Sequence, residues 1–395
     1  MSRKVTNDIF YIGVDDPRRC AFEGQYEVTS GMCYNSYLIR DEKIAVFDTV
    51  DVHYQETWLD HLRMALGLRK PDYLIIQHME PDHSGSIYHF MRRYPDCTIV
   101  SSRQAFTMMQ QFYGYNIAPN RLVVTDGDTL DLGRHQLHFV TAPMVHWPEV
   151  IMTYDATDKV LFSADAFGKF GMIDTDEYWE NEALRYYFGI VGKFGAQVQK
   201  LLQKAKDLDI QIICPLHGPY LTENIPFYVE KYQKWSSGEP EERGVVVCYC
   251  SVYGHTEEAA MRLVRRLEQM GCQNVWFHKL TNWDNSEAVG DAFRFDKLVL
   301  VSTTYNGGVF PYMDDYLRRL KERNFQGRKV FLIENGSWAP NAAKTIKKEL
   351  EDCKDIVYPM EPIRILSAMT LENHKQIDEM AQFIIDMDKR AYAED

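Results

Sequence analysis

Apolar residues fall along the chain in two different rhythms. In the first stretch the runs are short and β-like. Runs at 34–39 and 43–50 flank the polar tripeptide Arg40-Asp41-Glu42 and predict a hairpin. Further short runs at 73–77, 98–102, 121–125, 135–143, 149–154, 159–165 and 211–215 predict strands, with a second hairpin joining 149–154 to 159–165. Residues 57–67 carry helical spacing. In the second stretch the rhythm is regular. Strand-like runs at 245–250, 274–280, 297–302, 329–334 and 363–366 alternate with helical segments. The clearest helix spans 256–271, where Ala260, Leu263, Val264, Leu267 and Met270 recur on one face. Thr256 is predicted to cap its start and Gly271 its end.

Between the two rhythms, residues 236–244 are polar and contain Gly238 and Pro240, the composition of a linker. The expectation is therefore an α/β chain of two domains, 1–241 and 242–395. The first is mixed and strand-rich. The second is a doubly wound, five-stranded parallel sheet with helices on both faces.

Composition narrows the function. The 395 residues are 45% hydrophobic and 26% charged, as in an ordinary globular protein. With 44 basic and 57 acidic side chains the net charge is −13, which disfavours nucleic acid as a partner. No run of eighteen apolar residues occurs, and the N-terminus lacks a secretory apolar run, so no membrane span is expected. The eight cysteines are scattered without a Cys-x-x-Cys pair. They are expected to be buried thiols in a reducing cytoplasm, with Cys248 and Cys250 on one strand face.

The chemistry is concentrated at strand ends. His78-Met-Glu80-Pro-Asp82-His83 holds four potential ligands in six positions after an apolar run. An extended backbone would point His78, Glu80 and Asp82 the same way, with His83 elsewhere unless the chain turns. One metal ion cannot readily use all four, whereas two adjacent ions can. His146, Asp165 and His217 each stand where a later apolar run stops. Imidazoles with carboxylates and no thiolate suit iron or manganese better than zinc. A carboxylate such as Asp165 can bridge two cations. The remaining histidines are expected to be structural or exposed.

A second constellation follows the run at 245–250. Ser251, Val252, Tyr253, Gly254, His255 and Thr256 form a loop of small and hydroxyl residues that opens a helix, an anion cradle. Neither the triphosphate nor the dinucleotide glycine pattern is present, which disfavours both ligands, and a mononucleotide would sit at the carboxyl ends of the strands in such a sheet. Two more loops are expected at the same sheet edge: Thr303, Thr304, Tyr305, Asn306, Gly307 and Gly308, and Asn335, Gly336, Ser337 and Trp338. An aromatic in each can flank a flat ring.

Taken together, these motifs resemble the flavodiiron proteins, or A-type flavoproteins, over essentially the whole chain. The His-x-Glu-x-Asp-His run, the later His146-Trp-Pro, Asp165-Ala-Phe-Gly and His217-Gly occur in the family's order. The resemblance implies a metallo-β-lactamase-like αββα sandwich followed by a flavodoxin-like domain. Glu80 stands where the zinc hydrolases of that fold carry a His. Two irons are implied, one held by His78, Glu80 and His146, the other by Asp82, His83 and His217, with Asp165 bridging. FMN is implied in the second domain, where His255 replaces a more usual Asn or Ser. The implied activity is reduction of O2 to water, of NO to N2O, or both, with electrons passing through FMN from a separate donor such as rubredoxin. A head-to-tail homodimer, or a dimer of dimers, is implied as well. Two other readings stay in view: a zinc-dependent hydrolase fused to a flavodoxin-like module, and an electron-carrying flavoprotein whose metal domain is inert.

Overall fold

The computed structural model describes residues 3–176 and 178–394. The chain divides into two compact units, Met1–Gln233 and Lys234–Asp395. Helix Ile225–Ser237 and strand Glu242–Tyr249 take up most of the segment whose composition predicts a linker. Trp235 explains the helix's extra length: it is buried, and its indole N–H donates to Glu241 Oε1 at 2.6 Å.

The first unit is a four-layer αββα sandwich. One sheet has seven strands in the order Arg3–Lys4, Ile9–Tyr11, Tyr37–Arg40, Ile44–Phe47, Tyr73–Ile75, Thr98–Ser101, Arg121–Val123. The other has five, in the order Thr129–Asp131, Gln136–Thr141, Ile151–Asp155, Val160–Phe162, Ile212–Cys214. Both expected hairpins form antiparallel pairs, Tyr37–Arg40 with Ile44–Phe47 and Ile151–Asp155 with Val160–Phe162. Strand alternation sorts the side chains. Ile39, Ala45, Phe47 and Ile75 meet Leu137, Phe139, Ile151 and Phe162 between the sheets. Phe47 stacks on Phe162 at 3.9 Å between ring centroids. The opposite residues of the first sheet, Leu38, Val46, Leu74 and Ile99, pack on Trp58, Leu62, Phe90 and Phe106 from its outer helices. With both faces covered, the strands are apolar on both sides, and their sequence signal is a run rather than an alternation.

The second unit is a parallel sheet in the order Val275–Lys279, Glu242–Tyr249, Phe295–Tyr305, Lys329–Asn335, Ile363–Ile365. Numbered along the chain this is 2-1-3-4-5, the flavodoxin-like doubly wound order. One face packs on Ala260, Leu263 and Leu267 of helix His255–Gln269 and on Ile377, Met380 and Ile384 of helix Leu371–Glu394. Helix Pro311–Glu322 covers part of the other face, where Tyr316 meets Cys248 at 3.3 Å. Among the described residues no helix is long and apolar enough to cross a membrane.

Candidate metal centre and nucleotide loops

Four loops of the first unit carry the ligand candidates to one edge of the sandwich. His78 and Glu80 follow strand Tyr73–Ile75, and His146 follows Gln136–Thr141. Asp165 follows Val160–Phe162, and His217 follows Ile212–Cys214. The extended reading of residues 78–83 does not hold. Pro81 takes the first position of a short helix, Pro81–Ser84, where its missing N–H costs nothing. The helix turns Asp82 away from His78 and Glu80 and sets it beside His83.

Two ligand groups result, His78, Glu80, His146 and Asp165 in one and Asp82, His83 and His217 in the other, with donor atoms in each within 4.8 Å of one another. Asp165 touches both. Its Oδ2 lies 3.3 Å from His78 Nε2 and 2.9 Å from His146 Nε2, and its Oδ1 lies 3.4 Å from His83 Nε2. Glu80 Oε2 is 3.3 Å from His78 Nε2 and 3.2 Å from His146 Nε2. Asp82 Oδ2 is 3.5 Å from His83 Nε2 and 3.3 Å from His217 Nε2. His83 Nε2 and His217 Nε2 face each other at 3.0 Å.

The contacts of Asp82 and Asp165 are close but poorly aligned. Among the described residues, no hydrogen bond of good geometry reaches any carboxylate oxygen of Asp82 or Asp165, although all are buried. Buried polar atoms are normally paired. Carboxylate oxygens that crowd against imidazole nitrogens without pairing fit cations held between them. The oxygen-rich set also fits iron or manganese chemistry.

The electrostatics agree. Burial opposes ionisation of Asp165, yet His78, His146 and His83 hold its carboxyl well below the usual carboxylate range. Burial likewise opposes a charged His78, but Asp165, Glu149 and Glu80 lift its imidazole well above the ordinary value. His146, with Asp165 and Glu80 outweighing burial, is raised to about 9. The pocket is thus built to accumulate positive charge.

Three supporting residues escaped the sequence reading. Glu149 Oε1 accepts from His78 Nδ1 and from the Met79 N–H, each at 2.8 Å, and leaves Nε2 of His78 for the site. The Cys33 carbonyl oxygen lies 2.7 Å from His217 Nδ1 and does the same for that ring. Tyr186 is fully buried with its ring 5.5 Å from His217, and its hydroxyl has no partner among the described residues. Glu149 follows His146-Trp-Pro closely, the one signal that was available. Nothing near Cys33 or Tyr186 announces its role. Of the histidines left out of the ligand set, His135 is tied to Asp155 at 3.0 Å, and His278 to Asp291 at 2.6 Å.

In the second unit the loop 251–256 is shaped as an anion cradle. Gly254 caps helix His255–Gln269 with φ 97°, a left-handed conformation that glycine adopts without strain. Its N–H donates to Ser251 Oγ at 3.0 Å. Thr256 is not the cap: it lies inside the helix, and its hydroxyl meets that of Thr303 at 2.8 Å. The expected loop 303–308 is mostly strand. Phe295–Tyr305 continues to Tyr305 and pairs with Gly308–Val309 around a turn at Asn306-Gly307. Thr304 Oγ1 accepts from Asn341 N at 2.9 Å. Asn335 Nδ2 donates to the Ser367 carbonyl at 2.9 Å, and Ser337 and Ser367 hydroxyls meet at 2.8 Å. Val252 and Tyr305 are 41% and 44% exposed, Tyr253 90% and Trp338 83%. Aromatic rings left open beside a helix N-terminus fit a flat heterocycle that carries a phosphate. Asn341 and Ser367 belong to this cluster and were not foreseen.

The comparisons with known proteins agree with this geometry. Residues 32–218 match the model of the ODP family beta lactamase. An anaerobic nitric oxide reductase flavorubredoxin of Vibrio vulnificus is 31% identical over 367 residues, which cover 89% of this chain and 73% of that protein. The same-named protein of Klebsiella pneumoniae is 30% identical, covering 89% and 75%. The structure of rubredoxin oxygen:oxidoreductase from Desulfovibrio gigas superposes with a TM-score of 0.89 and 26% identity over 100% of both chains. That of the flavodiiron protein from Giardia intestinalis gives 0.90 and 27%, over 100% of this chain and 97% of the other. The chain belongs to the flavodiiron protein family of oxidoreductases.

Proposed function

We propose that the protein reduces O2 to water, NO to N2O, or both, at a diiron centre in residues 1–241, with FMN held by residues 242–395. The observation that carries this reading is the convergence of His78, Glu80, Asp82, His83, His146, Asp165 and His217 in a chain that also carries the cradle at Ser251–Thr256. When bound, FMN and two irons would supply the electron relay and the redox-active cations. The chain's own part is to hold and orient. Glu149 and the Cys33 carbonyl fix the ring orientation of His78 and His217. Asp165 spans both ligand groups and balances their charge. The start of helix His255–Gln269, which Gly254 caps, offers backbone N–H groups to a phosphate. Tyr186, whose ring lies 5.5 Å from that of His217, carries a buried hydroxyl without a partner among the described residues and is the candidate proton donor on that side.

The names of the relatives support the substrates and support rubredoxin, or a similar small protein, as the separate electron donor. A head-to-tail homodimer, or a dimer of dimers, remains part of the proposal. All eight cysteines are free thiols, which supports a cytoplasmic location. The test is an anaerobic assay with reduced rubredoxin, in which O2 and NO turnover are compared on one iron-quantified preparation. Bound zinc with hydrolase activity and no gas reduction would overturn the reading.

A further inference from the structure

The outer helices of the five-stranded sheet do not fill the space beneath them. Strand residues Val140, Met152, Leu161 and Ile213 point outward, alternating with those that fill the space between the sheets. Above them, Val198, Leu201 and Leu202 of helix Gly195–Ala205 and Val229 of helix Ile225–Ser237 line a half-open cavity of about 600 Å³.

The cavity abuts the metal centre. Val145, in its wall, immediately precedes His146, and Ala166 and Phe167 immediately follow Asp165. The segment turns through left-handed residues at Ala164 (φ 50°) and Phe167 (φ 67°). Asp165 thereby faces the ligand groups while Ala166 and Phe167 face the cavity. The wall between the two is a single stretch of chain.

Its chemistry selects an occupant. An organic ligand needs a few free polar groups to fix its orientation. Here the wall is mostly aliphatic, and the polar side chains Lys206, Thr222 and Asn224 lie exposed at the rim. The Tyr232 hydroxyl accepts from the Phe167 N–H at 2.6 Å. At the rim, Asp209 is held by Lys159 and by Gln211 Nε2. Apolar walls of this kind favour apolar species such as xenon over water.

We propose that this cavity is a reservoir for the apolar diatomic substrate, O2 or NO, which reaches the metal centre past Val145, Ala166 and Phe167. The proposal rests on the functional reading above and adds a binding site to it.

Xenon is the probe. Crystals of the iron-loaded protein pressurised with xenon are expected to show density among Val198, Leu201 and Val229. Val229→Phe and, separately, Leu202→Phe fill the space from its half-buried side. Each is expected to lose xenon and to raise KM for the gas several-fold, with kcat and iron content retained. No xenon in the unaltered protein overturns the reservoir. So does an unchanged KM in a filled variant that has lost xenon, or a stoichiometric organic molecule extracted from the purified protein. If the unaltered protein reduces neither gas, the functional reading falls and the reservoir with it. Normal turnover with unchanged KM in the filled variants removes the reservoir alone.

Discussion

Glu149 Oε1 stands 2.8 Å from His78 Nδ1, and both side chains are fully buried. A carboxylate behind a ligating imidazole sets the ring's tautomer and raises its basicity. Glu149→Ala is expected to lower metal affinity about 10–100-fold, as loss of such an outer partner typically does. Glu149→Gln keeps an acceptor and should lose less. Metal titration of the cation-free protein separates the two. Equal affinity in all three proteins would make Glu149 a packing residue only.

Tyr186 makes the opposite case. A buried hydroxyl without a partner costs about 1–3 kcal/mol, and among the described residues the Tyr186 hydroxyl has none. Tyr186→Phe is therefore expected to leave the melting temperature unchanged or higher. If the hydroxyl donates to bound substrate, gas turnover should fall by about tenfold or more, within the range of a positioned proton donor. Iron content should not change. A variant that is destabilised and fully active contradicts both parts.

Metal loading should expel protons. In the cation-free protein burial disfavours a charged His146, but Asp165 and Glu80 outweigh it and raise the imidazole from 6.5 to about 9. A cation needs the neutral ring. Loading at pH 7 is expected to release at least one proton, and affinity should rise as pH approaches about 9. Calorimetry in two buffers of different protonation enthalpy counts the protons, and a count of zero refutes the expectation. The stability consequence has a definite sign. The folded value lies above the unfolded one, so this contribution is complete below about 6.5 and is lost as pH climbs through about 9. Only the cation-free chain should show that loss.

Gly254 at φ 97° admits a side chain only with strain, although a Cβ there would meet nothing within 4 Å. Gly254→Ala is expected to cost about 1–2 kcal/mol from the left-handed backbone. Because the strain falls on the cradle, FMN affinity should drop while metal content stays unchanged. Fluorescence titration of flavin-free protein checks this. Undiminished flavin affinity would move the phosphate elsewhere.

Much of the architecture was legible because burial on both faces writes itself as apolar runs. Val245-Val246-Val247 and Ile44–Phe47 are examples, since every residue in them is buried. The candidate ligands could be picked out because each stands at or shortly after the place where such a run stops. What stayed hidden depends on the third dimension. The turn that separates Asp82 from Glu80 is set by Pro81, which is as compatible with extended chain as with a helix start. Tyr186 and Cys33 are far in sequence from most of the side chains they serve. Strand Phe295–Tyr305 outruns its apolar stretch because Thr304 and Tyr305 are held by pairing with Gly308–Val309, a partner that no local pattern reveals.

The apposition of His83 and His217, 134 positions apart in the chain and 3.0 Å apart in space, makes the centre a gauge of folding. Any change that loosens one sheet against the other separates ligands that arrive on different loops. A cation that binds only the assembled form adds its binding free energy to the fold. Chelation should therefore lower the midpoint of denaturation for the whole first unit rather than fray one edge of it.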